Sequence, residues 1–229
     1  MHRWEPFLKA AEFVSLVDHT LLKPEATRSD IEALCREAAE LHPASVCVNG
    51  VWVPTASEAL SGAGVPVCSV VGFPLGAMAV RSVVAETANA VEDGASEIDM
   101  VVPVGLLKGG EDAEVERYVA EVKRAAGDAL LKVILESALL TDDEIVRACR
   151  ASSAAGADFV KTSTGFNAAG GATVKAVRLM RQTVGDALGV KASGGIRTRE
   201  DVEAMVAAGA SRLGMSSTRK VYDEYDAQA

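Results

Sequence analysis

Three lysines and one aspartate stand inside runs that are otherwise apolar. Lys132 lies in Leu131-Lys132-Val133-Ile134, Lys161 in Phe159-Val160-Lys161-Thr162, Lys191 in Gly189-Val190-Lys191-Ala192, and Asp99 in Ile98-Asp99-Met100-Val101-Val102. Charged side chains are seldom buried unless paired, so such residues either neutralise one another or do chemistry. For Lys132 a structural role is enough: with Glu136 nearby in sequence, it reads as part of a Lys/Asp/Glu network filling an interior. Lys161 and Lys191 point further. Crowded cations depress a lysine's pKa, and the neutral amine is the form that adds to a carbonyl.

Glycine-rich segments form a second group. Gly165 and Gly170-Gly171 follow the Lys161 segment, Ser193-Gly194-Gly195 follows Lys191, and Gly214, Ser216 and Ser217 come last. Backbone amides in such turns and at helix starts hold a small anion such as phosphate. None of the fragments is a P-loop or a dinucleotide fingerprint. Near the N-terminus, Asp18-His19-Thr20 precedes Leu21-Leu22-Lys23-Pro24. Asp18 and Thr20 share one strand face and are candidates for substrate hydroxyls or for holding a lysine. His19 points the other way and reads as a packing histidine. Cys47 ends a further apolar run as a candidate pocket residue, without a histidine that would make it a nucleophile. Gly72-Phe73-Pro74-Leu75-Gly76 reads as a rigid apolar loop and a pocket wall.

The elements that must position these groups alternate along the chain. Strand-like segments fall near Val14–Asp18, Ser45–Val48, Pro66–Gly72, Glu97–Val102, Leu131–Glu136, Asp158–Thr162, Gly189–Ser193 and Arg212–Ser216. Between them, apolar residues recur at three and four positions over Arg28–Leu41, Pro54–Ser61, Met78–Glu92, Ala113–Ala126, Asp142–Ala155, Thr173–Val184 and Arg199–Ala208. Thr27 and Thr141 sit where helix N-caps belong, and Gly94, Gly156 and Gly209 where helices must stop. Strand markers recur every ~20–35 residues, one βα unit each, which predicts a (β/α)8 TIM barrel. An open doubly wound sheet seldom needs eight strands, and it gathers its ligand residues at one switch point. Without a linker-like stretch, residues 1–229 are expected to form one domain, with 1–12 an N-terminal extension or short helix and 218–229 a C-terminal tail.

Composition excludes several functions. The chain has 32 acidic and 23 basic residues, a formal charge of -9, and no basic cluster of the kind nucleic acid requires. No segment resembles a leader or a membrane span. Cys35, Cys47, Cys68 and Cys149 lack a zinc-box spacing, and three histidines do not suggest a metal centre. The expectation is a cytoplasmic protein with reduced cysteines, no metal and no cofactor.

Six strings, in order and with near-constant spacing over about residues 14–217, closely resemble the deoxyribose-phosphate aldolase family. They are Asp18-His19-Thr20-Leu21-Leu22-Lys23-Pro24; Val71-Gly72-Phe73-Pro74; Glu97-Ile98-Asp99-Met100-Val101; Lys132-Val133-Ile134-Leu135-Glu136; Phe159-Val160-Lys161-Thr162-Ser163-Thr164-Gly165-Phe166; and Lys191-Ala192-Ser193-Gly194-Gly195-Ile196-Arg197. The resemblance implies a metal-independent class I aldolase on a TIM barrel. It would reversibly cleave 2-deoxy-D-ribose 5-phosphate to D-glyceraldehyde 3-phosphate and acetaldehyde. It places the Schiff-base lysine at Lys161, the acid/base carboxylate at Asp99 and a second active-site lysine at Lys191. Phosphate would lie near Gly171, Gly194, Gly195, Gly214 and Ser216, with Asp18, Thr20 and Cys47 around the pocket. Homodimers are common in that family.

Two features depart from the pattern. Where the family usually has glycine after Ser216-Ser217, this chain has Thr218, which can cap a helix but would narrow a phosphate-gripping turn. A C-terminal tyrosine reaches the site in some members, and Tyr222 and Tyr225 are the residues available here. The competing readings are a Schiff-base aldolase for another phosphorylated sugar and a non-catalytic phosphate-binding barrel.

Overall fold

Eight parallel strands, each hydrogen-bonded to the next and the last to the first, close a barrel in the computed structural model, which describes residues 8–227. The strands are β1 (Val17–Leu21), β2 (Ser45–Asn49), β3 (Val67–Val71), β4 (Glu97–Val101), β5 (Leu130–Ile134), β6 (Phe159–Lys161), β7 (Gly189–Ser193) and β8 (Arg212–Met215). The helices are α1 (Ala10–Val14), α2 (Arg28–Leu41), α3 (Val53–Ala59), α4 (Val80–Glu92), α5 (Val104–Lys108), α6 (Asp112–Ala126), α7 (Asp142–Ala154), α8 (Val174–Val184), α9 (Arg199–Ala207) and α10 (Thr218–Asp226). This is the (β/α)8 fold that the alternating periodicity predicts.

The local signals act as expected. Thr27, Thr141 and Thr198 cap α2, α7 and α9, each paired with an acidic residue three positions on that bonds back to the cap amide. Such caps contribute roughly 1 kcal/mol each. After α4, α7 and α9 the chain reverses at Gly94, Gly156 and Gly209, all with φ between 82° and 110°, where a Cβ is strained. Apolar helix faces pack on the outward strand residues in one core containing Ile31, Val46, Ile98, Leu131, Val160, Val190 and Leu213, all fully buried. Each contributes ~1.5–3 kcal/mol by leaving water.

The chain ends differ from the sequence reading. Val14, taken as the start of the first strand, belongs to α1, and β1 begins at Val17. Residues 218–226, expected as a tail, form α10. It packs on α1 through the stacked rings of Phe13 and Tyr225, 5.1 Å apart. The first seven residues of the expected N-terminal extension lie outside the described residues.

Candidate active site

Alternation along the strands turns the lysines inward and aligns them. Lys161 on β6 is directly opposite Lys191 on β7, and Asp99 on β4 is opposite Lys132 on β5. Asp99 is fully buried, and both its oxygens are occupied. Oδ2 accepts from Lys161 Nζ at 2.7 Å and from Lys191 Nζ at 2.6 Å, while Oδ1 accepts from Lys132 Nζ at 2.8 Å and from the Cys68 thiol at 3.2 Å. Below it, Lys191 also bonds Asp18, and Lys132 contacts Glu97 at 2.6 Å and Asp18 at 3.3 Å. Arg212 closes this layer, reaching Asp18 at 2.6 Å and lying over the Phe159 ring.

The electrostatics follow from these pairs. Burial alone would push Asp99 up, but Lys132, Lys161 and Lys191 together hold its carboxyl well below the carboxylate range. Asp18 is likewise held low against burial, by Lys132, Lys191 and Arg212. Burial disfavours charged Lys191 and Lys132, yet their carboxylate neighbours outweigh it and hold both above the ordinary lysine value of 10.5. Crowding by neighbouring cations therefore does not depress Lys191. Lys132 does push Lys191 down, but Asp18 and Asp99 push harder in the other direction. Lys191 is a fixed cation beside Lys161.

Only one of the three lysines meets the cavity at the C-terminal mouth of the barrel. This space of about 240 Å³ is lined by Lys161 and by Thr20, Ser193, Gly194, Gly195, Gly214 and Ser216, among others. Lys132 and Lys191 lie beneath it, fully buried. Gly214 leaves room for Lys191: a Cβ there would lie 3.1 Å from Lys191 Cε and 2.9 Å from Ser193 Cβ.

Other expected pocket residues are placed differently. Asp18 lies under the lysines rather than on the cavity wall, because its position on β1 is one layer deeper than Thr20. Cys47 is buried in a small apolar cluster with Leu22, Cys68 and Val70, against which Phe73 packs. Gly171 supports the wall from behind, its Cα so close to Gly194 that a Cβ would lie 2.2 Å from the Gly194 carbonyl oxygen. Tyr222 and Tyr225 pack with the core, so neither reaches the cavity.

Thr218 does not narrow the pocket turn. It is the first residue of α10 and fully buried, with its hydroxyl 2.8 Å from His19 Nδ1.

Glu136 does not neutralise Lys132. Its backbone turns left-handed at φ 56°, which swings the carboxylate to the Thr164 hydroxyl at 2.5 Å and amide at 3.2 Å. It thus holds the loop after Lys161, whose Thr164, Gly165 and Phe166 line the cavity.

Sequence reasoning missed Glu97, Arg212, Lys23 and Arg197. Glu97 had a signal, because it shares the inward face of β4 with Asp99 two residues on. Lys23 and Arg197 are exposed loop cations lining the mouth, a placement that only the closed barrel defines. Among the described residues, Cys47, Cys68 and Asp99, and also Asp18, Cys68 and Glu97, bring potential metal ligands within 4.8 Å. Lysine ammonium groups already occupy the carboxylates of both sets.

A closed barrel that presents one strand lysine to a glycine-walled cavity, backed by a buried carboxylate and a fixed cation, defines the class of Schiff-base barrel enzymes. Residues 13–224 match the model of the DeoC/LacD family of aldolases. The deoxyribose-phosphate aldolase of Brevibacillus brevis is 57% identical over 201 residues, covering 88% of this chain and 90% of that protein. That of Bacillus cereus is 56% identical over 204 residues, covering 89% and 91%. Among solved structures, the tetrameric deoxyribose phosphate aldolase of Aeropyrum pernix superposes with a TM-score of 0.89 at 34% identity, over 96% of this chain and 93% of that one. The chain belongs to the DeoC/LacD aldolase family.

Proposed function

We propose that the chain reversibly cleaves 2-deoxy-D-ribose 5-phosphate to D-glyceraldehyde 3-phosphate and acetaldehyde, with Lys161 as nucleophile. The observation that carries this reading is the 2.7 Å bond between Lys161 Nζ and Asp99 Oδ2 at the floor of a glycine-walled cavity. Its relatives named as deoxyribose-phosphate aldolases support the substrate.

The neutral amine of Lys161 adds to the C1 aldehyde, and the carbinolamine loses water to give an iminium. Loss of the C3 hydroxyl proton then breaks the C2–C3 bond. Its electron pair moves into the iminium to leave an enamine, and glyceraldehyde 3-phosphate departs. Protonation of the enamine carbon and hydrolysis release acetaldehyde and regenerate Lys161. Asp99 and Lys191 relay these protons through bonds already made, with Asp18 and a water extending the relay. Gly194, Gly195, Gly214 and Ser216 receive the phosphate, with Gly171 behind them, and Thr20 shapes the sugar end, with Cys47 buried in the layer behind it. Phosphate binding far from the reacting bond holds the substrate in register for cleavage.

No cofactor or metal enters these steps. Among the described residues no helix is long and apolar enough to cross a membrane. The reading includes a cytoplasmic location, supported by four buried free cysteines, and a homodimer, which light scattering tests.

The functional test compares substrates. The phosphorylated sugar is expected to be cleaved with far higher kcat/KM than 2-deoxyribose, and acetaldehyde to be accepted as donor far better than dihydroxyacetone phosphate. Equal or reversed donor preference would assign the site to a different phosphorylated sugar.

A further inference from the structure

His19 and Thr218, 199 residues apart, are two sequence features that the Schiff-base chemistry leaves unused, and they are bonded to each other. His19 follows Asp18 on β1, so its ring faces the surrounding helices, where it is 4% exposed. Nδ1 lies 2.8 Å from Thr218 Oγ1 at the start of α10, and Nε2 lies 3.1 Å from Glu37 Oε1 on α2. Burial lowers the His19 pKa to about 4, which leaves the ring neutral at pH 7 with a single N–H. A carboxylate only accepts, so Glu37, 3.1 Å from Nε2, places that proton on Nε2. Nδ1 is then an acceptor, and the Thr218 hydroxyl donates to it.

The segment this bond anchors is part of the cavity wall. Gly214, Met215 and Ser216, just before Thr218, line the cavity, as do Gly194, Gly195 and Ile196. Ser217 joins the two walls by donating to the Ile196 carbonyl at 3.3 Å. The α10 start has no side-chain cap of its own, and Thr218 has one other acceptor, Met215 O, at a long 3.5 Å. The close bond to His19 therefore sets where the β8–α10 junction stands relative to the cavity. Glycine at this position could not make it.

We propose that Glu37, His19 and Thr218 form a positioning relay that fixes the β8–α10 junction as the phosphate-facing wall and so sets the preference for a phosphate monoester over the free sugar. This rests on the aldolase reading above. His19 and Thr218 are positioning residues, since neither lines the cavity.

The test uses Thr218→Val, which keeps the volume and removes the hydroxyl, and Thr218→Ser, which restores it. Loss of one such hydrogen bond predicts a KM for 2-deoxyribose 5-phosphate and an inhibition constant for inorganic phosphate both raised about fivefold in Thr218→Val. Both return to wild-type values in Thr218→Ser, and kcat/KM for unphosphorylated 2-deoxyribose changes much less. A proportional loss on both sugars, or an unchanged phosphate constant, overturns the proposal. If Thr218→Val does not fold, nitrogen NMR of the wild-type His19 ring decides instead. The relay requires the Nε2–H tautomer at pH 7, and an Nδ1–H or doubly protonated ring refutes it. Calorimetric binding of phosphate separates this idea from the aldolase reading. If neither sugar is cleaved, that reading falls, while the phosphate affinities of the two variants still judge the relay.

Discussion

Lys161 and Lys191 stand side by side on paired strands and share one oxygen of Asp99, at 2.7 and 2.6 Å. The arrangement gives the two amines different work. Lys161 borders the cavity, whereas Lys191 is fully buried between Asp18 and Asp99 and stays cationic. Under the proposed reaction, the first amine meets substrate and the second fixes charge and handles protons.

Asp99→Asn removes the carboxylate that three lysine side chains share. Cleavage is expected to fall by ~10²-fold or more, the scale of a positioned acid/base group. The fold should survive but lose about 3 kcal/mol, because buried cations are left without their counter-charge. Steady-state kinetics and urea titration measure the two effects separately. Near-normal turnover would remove Asp99 from the relay.

Lys191→Met keeps Lys161 in contact with the cavity but deprives Asp99 and Asp18 of one of the two cations they share, leaving them Lys132. Borohydride trapping with acetaldehyde should still succeed, while kcat falls by about 10²-fold. Absence of any trapped adduct in a folded variant would show that Lys191 has a different part.

Gly171→Ala places a Cβ 2.2 Å from the Gly194 carbonyl oxygen, a backbone atom that cannot swing aside. The Gly194-Gly195 wall must shift, and a displacement of this kind costs on the order of tenfold or more. It should appear chiefly as a raised KM for the phosphorylated sugar. An unchanged KM would mean that the phosphate does not rest on this wall.

Acid should weaken the protein in two stages. The His19 pKa is lowered from an ordinary 6.5 to about 4, so the unfolded chain takes up this proton first, and stability falls as pH drops from 6.5 towards 4. The shift corresponds to up to about 3 kcal/mol. Asp18 and Asp99 are held below their ordinary 3.8, so their contribution is intact above that pH and is lost only as pH falls further. Denaturant titrations from pH 8 to 3 should show both stages in the wild-type protein and only the lower one in His19→Gln. An identical profile for the two proteins would contradict the His19 assignment.

Much of this was legible in the sequence because the signals were local. Helix caps, glycine stops and alternation located the barrel units, with α2 and β7 found over their observed residues. An aspartate and lysines in apolar strands marked the centre for the same reason, since charge in a strand interior is costly and stands out. Partner choice was not local. Lys132 pairs with Glu97 on the adjacent strand and not with Glu136, whose left-handed backbone carries it to Thr164. Nor could periodicity foresee that Thr218 would turn from the pocket to His19, because that contact exists only once β1 and β8 close the barrel.

The claim on which the account most depends is that Lys161 forms the Schiff base. Reduction with borohydride in the presence of acetaldehyde, followed by peptide mapping, tests it directly. The two-carbon adduct is expected on Lys161 in the wild-type protein and on no lysine in Lys161→Arg, since a guanidinium stays protonated and does not form this imine. An adduct on Lys191 or Lys132 in the wild-type protein would contradict the account.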